Sequence, residues 1–203
     1  MRTARPDDPV VGLLFESAAP YYSAYAGGPE RARRLLRTLY PRTGHTASWE
    51  VCHVAEAGGR VVGVLAAFPS DEGDALARRF VRLTLLHSAP WRIPALMRHL
   101  RATAAVAPHP PARVLYVDAL ATDAGHRRRG VARALLAQAE RMAAAAGLEG
   151  VALDTGIENR AARSLYERTG FNPSSLRPAP DERTARAVGG SGFVGYLKPL
   201  SSG

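Results

Sequence analysis

The residues with the clearest capacity for chemistry lie in Gly125-His-Arg-Arg-Arg-Gly130-Val-Ala132. An apolar run (Val114, Leu115, Tyr116, Val117, then Leu120) leads through Thr122-Asp123-Ala124-Gly125 into this basic turn, and an Ala/Leu-rich helical pattern starts after Gly130. Strand, glycine turn and helix start, in that order, make an anion site. The first N–H groups of a helix lack intrahelical acceptors, and the helix dipole adds partial positive charge at the same place. Arg127, Arg128 and Arg129 add formal charge beside it, and no acidic residue occurs from Ala124 to Gln138. Gly130 lets a phosphate approach the backbone, and Ala132 keeps the next turn small.

In isolation such an arginine run reads as a solvated basic patch, but a second segment accompanies it. After the helix 131–146 closes at Gly147, a short apolar strand (Val151, Ala152, Leu153) leads to Asn159-Arg-Ala-Ala-Arg-Ser-Leu-Tyr166-Glu-Arg-Thr-Gly170-Phe171. This reads as a helix with Asn159 as N-cap and Gly170 as its stop. Asn159, Arg163 and Tyr166, at i, i+4 and i+7, share one face.

These two segments resemble the GNAT superfamily of acyl-CoA-dependent N-acyltransferases. The family's acyl-CoA signature, (Arg/Gln)-x-x-Gly-x-(Gly/Ala), is matched by Arg127-Arg128-Arg129-Gly130-Val131-Ala132, and its second motif by Asn159, Ala162, Tyr166, Gly170 and Phe171 with some slippage. The resemblance is specific over about residues 113–171. It implies an α/β (α+β) fold with a central mixed, mostly antiparallel sheet flanked by helices, and acetyl-CoA (or another acyl-CoA) as co-substrate with no metal. It also places the pyrophosphate on Arg127, Arg128, Arg129, Gly130, Val131 and Ala132. The pantetheine arm then lies along the backbone of Leu120, Ala121 and Thr122, and Asn159 bonds the same arm. Thr122 stands where most relatives carry Val.

Transfer from a thioester to an amine needs a neutral nucleophile, an acceptor for its proton and a donor for the departing thiolate. Tyr166 is the candidate acid: a phenol of pKa about 10 faces a thiolate whose conjugate acid is near 8.5, a modest uphill transfer. Asp118 is the candidate base. Simple alternation places it on one face of its strand with Tyr116, Leu120 and Thr122. Its ordinary pKa of about 4 suits that role only if burial raises it or a water mediates; otherwise it orients the acceptor's ammonium. Glu50, Glu56 and Asp154 are competing carboxylates.

The elements that must position these groups follow from periodicity. Residues 7–25 keep helical spacing as far as Pro20, and Glu30–Tyr40 forms a second helix ended by Pro41. By the resemblance, this pair walls the acceptor site, so Tyr21, Tyr22 and Tyr25 either line that site or pack at the helix end. Glu50–Glu56 and Arg60–Phe68 are strands joined by an Ala57-Gly58-Gly59 hairpin. An extra helical insertion then falls between the third and fourth strands, with helices Asp74–His87 and Trp91–Ala107 broken at Pro90. Its buried faces are expected at Leu76, Phe80, Leu83 and Leu86, and at Leu96, Met97 and Leu100. It covers the acceptor end of the cleft or builds a homodimer contact. Residues 108–111 form a rigid connector. Asn172–Gly190 reads as loop with at most one short strand, Gly192–Leu197 as a last strand, and Pro199–Gly203 as a tail.

A chain of 203 residues, 46% hydrophobic and 22% charged, is ordinary globular composition and suits a single domain over 1–203. The lone Cys52 sits in an apolar strand and excludes a disulfide framework. The apolar run Val10–Phe15 is too short for a signal peptide or membrane span, which makes the cytoplasm the expected compartment and a membrane partner unexpected. The six histidines show no metal-ligand spacing. The net charge of +9 invites a nucleic-acid reading, but the basic residues are almost all Arg and scattered along the chain, which fits an anionic cofactor better. The expected activity is N-acetyl transfer to a small-molecule or peptide amine in a ternary complex. The rivals are a non-catalytic acyl-CoA sensor and a nucleic-acid-binding protein.

Overall fold

A computed structural model describes residues 1–200. In chain order the elements are β1 (Arg2–Thr3), α1 (Val11–Ser17), α2 (Ala19–Ala26), α3 (Pro29–Leu39), β2 (Cys52–Ala57), β3 (Arg60–Pro69), α4 (Gly73–Leu86), α5 (Ile93–Val106), β4 (Val114–Thr122), α6 (Val131–Ala145), β5 (Gly150–Gly156), α7 (Arg160–Arg168), β6 (Asn172–Pro178), α8 (Glu182–Val188) and β7 (Gly192–Pro199). The strands form one sheet in the order β1-β2-β3-β4-β5-β7-β6. Every neighbouring pair is antiparallel except β4 and β5. This is the mixed, mostly antiparallel sheet implied by the resemblance, with the helical insertion α4–α5 between the third and fourth strands.

Each face of the sheet buries its own apolar cluster. Leu14, Leu36 and Leu39 from α1 and α3 join Tyr22, Tyr25, Phe80, Leu83 and Leu96 on one side. On the other, Leu135, Leu136, Ala139 and Ala143 of α6 pack with Tyr166, Phe171 and Tyr196. The apolar spacing along α6 gives it a single inward stripe. Gly63 of β3 allows this helix to seat closely, since a Cβ there would fall 2.7 Å from Val131 Cγ1.

Strand β4 is where the regular sheet gives way. Ala66 pairs with Ala119 and Ala67 with Val117, so Asp118 opposes no residue on β3 and forms a β-bulge. Its parallel ladder with β5 stops at Val117↔Leu153, while β5 stays paired to β7 as far as Gly156↔Phe193. The two central strands therefore part beyond Val117. The bulge also corrects the expected alternation. Leu115, Val117 and Leu120 face the α6 cluster, whereas Ala119 and Ala121 face the other. Tyr116 and Asp118 thus do not share a face with Leu120 and Thr122.

Other boundaries differ for physical reasons. The first helical run breaks at Ala18 (φ −147°, ψ 49°), and Pro20 opens α2 instead of ending α1, because a helix's first turn has no use for the missing N–H. A 3-10 turn at Trp49–Val51 delays β2 to Cys52. The buried face of the insertion is narrower than expected. Phe80, Leu83 and Thr84, then Leu96 and His99, point inward, while Leu86 is 70% exposed and Met97 is 38% exposed. Leu86 lies two residues past Thr84, about 200° around the helix. Residues 172–190 hold both β6 and a helix, α8, capped by Asp181 Oδ1, which accepts from Thr184 N at 2.7 Å. The last three residues of the expected tail lie outside the described residues.

Candidate active site

The divergence of β4 and β5 opens a cavity of about 340 Å³. Val117, Asp118 and Leu120 line it from β4, Asp154, Thr155 and Gly156 from β5, and Asn159 and Tyr166 from the start and body of α7. The α1–α2 junction (Glu16 to Tyr21) and the segment from Val188 to Phe193 complete the wall. Four residues singled out in the sequence, Asp118, Leu120, Asn159 and Tyr166, are thus brought together.

Asn159 caps α7, its Oδ1 accepting from Ala162 N at 3.2 Å while its Nδ2 donates to Thr155 Oγ1 at 3.0 Å. That fixes the first turn of α7 against the free end of β5. Tyr166, two turns on, is 6% exposed, and its ring packs edge-on to Tyr196 at 5.5 Å and near Phe171 at 6.2 Å. Its hydroxyl has no hydrogen-bond partner among the described residues and opens on the cavity. Ring packing and an available hydroxyl coexist in this one residue.

Asp118, on the bulge, also lacks a hydrogen-bond partner among the described residues. Burial, reinforced by the charge of Asp154, pushes its carboxyl up to about 7. Burial pushes Asp154 up to about 6, opposed by the Tyr116 hydroxyl, which donates to Asp154 Oδ2 at 2.5 Å. Two neighbouring carboxylates of this kind share their titration. Burial, with the charge of Asp154 behind it, holds the Tyr166 phenol protonated well beyond neutral pH. It is a weaker acid than an ordinary tyrosine, so proton donation has to accompany bond breaking at the leaving group. In the sequence, Asp154 is only a competitor to Asp118, and Tyr116 only a strand residue. Their pairing depends on two strands far apart in sequence. Glu50 accepts from Gly44 N at 2.8 Å and Glu56 pairs with Arg2 at 2.7 Å; neither lines this cavity.

The tyrosine cluster divides. Tyr21 lines the cavity and meets His99 at 4.8 Å, whereas Tyr22 and Tyr25 are core residues, with the Tyr25 hydroxyl donating to Thr84 Oγ1 at 2.9 Å. Through His99, the insertion backs the Tyr21 wall. His99 Nδ1 lies 2.6 Å from the Ala187 carbonyl of α8, so the insertion and the helix missed in the sequence brace one another.

The basic turn follows the diverging end of β4 in the chain. Asp123 Oδ1 accepts from Gly125 N at 3.1 Å and closes the turn after β4. Arg127, Arg128 and Arg129 are exposed; Arg128 (φ 61°) and Gly130 (φ 82°) adopt left-handed backbone that directs the chain into α6. Ala134 N bonds Gly130 O at 2.9 Å, which leaves the N–H groups of Val131, Ala132 and Arg133 as the free first turn of α6. A Cβ on Gly130 would point into open space, the space a ligand at that turn would take. Beyond Val117, the β5-facing backbone of β4 has no strand partner among the described residues, so an extended ligand arm can bond it. Ala121 packs into the core, and Thr122 and Arg127 instead border an adjacent 760 Å³ cleft. Taken together, the free helix turn, the unpaired strand edge and the unpartnered Tyr166 hydroxyl fit an acyl-CoA.

No curated protein is similar enough in sequence to count as a relative. Among solved structures, an acetyltransferase superposes with a TM-score of 0.68 at 16% identity, covering 98% of both chains. An N-acetyltransferase from Staphylococcus aureus Mu50 gives 0.67 at 16% identity, covering 97% of this chain and 98% of that one. An IAA acetyltransferase from Bacillus cereus ATCC 14579 gives 0.55 at 14% identity, covering 97% and 95%. At these identities the likeness is one of fold. The family model for the acetyltransferase (GNAT) family matches residues 14–171, which include β4, the basic turn, α6 and α7. The chain therefore belongs to the GNAT family and is an acetyl-CoA-dependent N-acetyltransferase.

Proposed function

We propose that the chain, acting as a single domain, passes the acetyl group directly to a primary amine bound in the β4–β5 cavity, with no acyl-enzyme intermediate. The observation that carries this reading is that Asp118 and Tyr166 both line one cavity with no hydrogen-bond partners among the described residues. Acetyl-CoA supplies the acyl group as a thioester; transfer forms a C–N bond, breaks the C–S bond, frees a proton at nitrogen and needs one at sulfur. Asp118 takes the proton from the amine, a task that a carboxyl pushed up to about 7 performs near neutral pH. Tyr166 Oη–H donates to the sulfur. The first-turn N–H groups of α6 and the arginines before it hold the pyrophosphate, and the free edge of β4 from Leu120 holds the pantetheine arm. Cys52, the one thiol, is fully buried on β2 outside the cavity lining, which leaves acyl transfer through a cysteine without a nucleophile.

Calorimetric titration with acetyl-CoA, followed by turnover on a panel of amines, tests this reading. Tight binding that Gly130→Glu abolishes, and transfer that Tyr166→Phe slows without weakening acetyl-CoA binding, are expected. Binding without transfer to any amine would leave a sensor, and no binding would overturn the assignment.

A further inference from the structure

The cavity carries the opposite charge from the chain. The sequence has a net charge of +9, yet among the described residues the cavity is lined by four carboxylates, Glu16, Asp118, Asp154 and Glu158, and by no Arg, Lys or His. Asp118 and Asp154 are partly buried inside it, while Glu16, near the end of α1, and Glu158, just before α7, are exposed at its rim. Glu16 Oε1 accepts from Arg33 Nη2 at 2.9 Å, and Glu158 Oε1 accepts from Ser191 N at 2.8 Å. Hydrogen bonding from Ser191, its side chain first and its backbone N–H behind it, holds the Glu158 carboxyl below its ordinary range, so it stays ionised. An acidic lining alone marks no site. Tyr166 marks this one independently, being 6% exposed with an unpartnered hydroxyl that opens on the same space.

We infer that the acceptor is a small linear diamine or polyamine, whose reacting nitrogen goes to Asp118 while a second ammonium is held at the rim by Glu16 and Glu158. The inference rests on the acyl-transfer reading above and adds the class of substrate. The partly buried and the exposed carboxylates of the lining suit two states of nitrogen. A partly buried carboxyl able to accept a proton serves the end that must become neutral, and exposed ionised carboxylates serve the end that stays charged. A monoamine would leave Glu16 with Arg33 and Glu158 with the Ser191 N–H as their only partners among the described residues, whereas a second ammonium adds a cation to both. The volume of about 340 Å³ suits a small molecule.

The test titrates the CoA-saturated, full-length protein with putrescine and with the matched monoamine pentylamine, beside initial rates of acetyl transfer to both. Putrescine is expected to bind roughly tenfold or more tightly and to be favoured similarly in kcat/KM; E16Q and E158Q should each shrink that ratio to about threefold or less. Added salt should weaken putrescine selectively. Equal affinities, no binding of either amine, or a putrescine preference that survives both substitutions would overturn the inference. Glutamate-dependent binding of putrescine without transfer to either amine would support the charge pairing and refute the acyl-transfer reading instead.

Discussion

The Tyr116 hydroxyl donates to Asp154 Oδ2 at 2.5 Å, so one of the two partly buried carboxylates flanking the strand divergence is anchored while Asp118 is left free. Asp154 is then a positioning charge that raises the proton affinity of Asp118. The acid limb of kcat/KM should fall with an apparent pKa near 7, belonging to the pair. Asp154→Asn is expected to move that limb to lower pH while retaining most of the turnover at high pH, because burial alone then sets the pKa of Asp118. Asp118→Asn should lower kcat/KM on the order of a hundredfold and flatten the limb. A limb that ignores Asp154→Asn would separate the two carboxylates.

The same pair makes stability depend on pH in a direction opposite to the usual carboxylate. Asp118, pushed up to about 7 in the fold, binds its proton more tightly folded than unfolded. Its contribution to stability is present below the unfolded pKa of about 4 and is lost as pH rises toward about 7. The buried His45 and His99, whose pKa values burial lowers, act in the other sense as pH falls through about 6.5. Comparison with Asp118→Asn isolates the carboxylate. The variant is expected to be more stable than wild type by about 1–3 kcal/mol near pH 8 and indistinguishable near pH 4, read by urea unfolding at both.

Tyr166 sits with its ring between Tyr196 and Phe171 and its hydroxyl on the cavity. Removing only the oxygen should therefore leave the core intact. Tyr166→Phe is expected to lower kcat on the order of a hundredfold with unchanged acetyl-CoA affinity and an unfolding midpoint near wild type. Tyr166→Ala should in addition cost about 3–5 kcal/mol of stability. Retained kcat in the Phe variant would assign the residue to packing alone.

Much of this site was legible because its signals are local. The glycine at the start of α6, the Asn159 cap and the helical spacing to Tyr166 are each fixed within a few residues of sequence, and the structure places them as the spacing implies. The bulge at Asp118 was not legible. It is a mismatch between β3 and β4, and nothing in Val114–Thr122 alone says that alternation fails there. Helix α8 was missed for a related reason: its seven residues carry one buried apolar side chain, Val188, too few to display a period. The acid lining draws Glu16, Asp118, Asp154 and Glu158 from four separate elements or junctions, so acids that look evenly divided in sequence converge only on folding.

Gly130 separates backbone conformation from charge. Its φ of 82° is a conformation that other residues adopt at a cost, but a Cβ there meets no atom within 4 Å. Gly130→Ala should thus pay a conformational cost of about 1 kcal/mol and weaken acetyl-CoA binding by less than roughly tenfold. Gly130→Glu adds an anion where the free N–H groups of α6 attract one, and should weaken binding by roughly a hundredfold or more. Equal losses in the two variants, measured by calorimetry, would mean that backbone shape and not charge governs the turn.

Thr122 offers a test that runs toward greater stability. Its Oγ1 is buried without a hydrogen-bond partner among the described residues. A buried polar group left unpaired costs about 1–3 kcal/mol, whereas an apolar group of the same shape does not. Valine has that shape, and only the backbone of Thr122 is assigned to the cofactor arm. Thr122→Val is accordingly expected to stabilise the protein by about 1 kcal/mol with unchanged acetyl-CoA affinity, while Thr122→Ser, which keeps the hydroxyl, brings no gain. A Val variant that binds acetyl-CoA more weakly at unchanged stability would instead make the hydroxyl a ligand donor, and would extend the cofactor contacts of β4 from backbone to side chain.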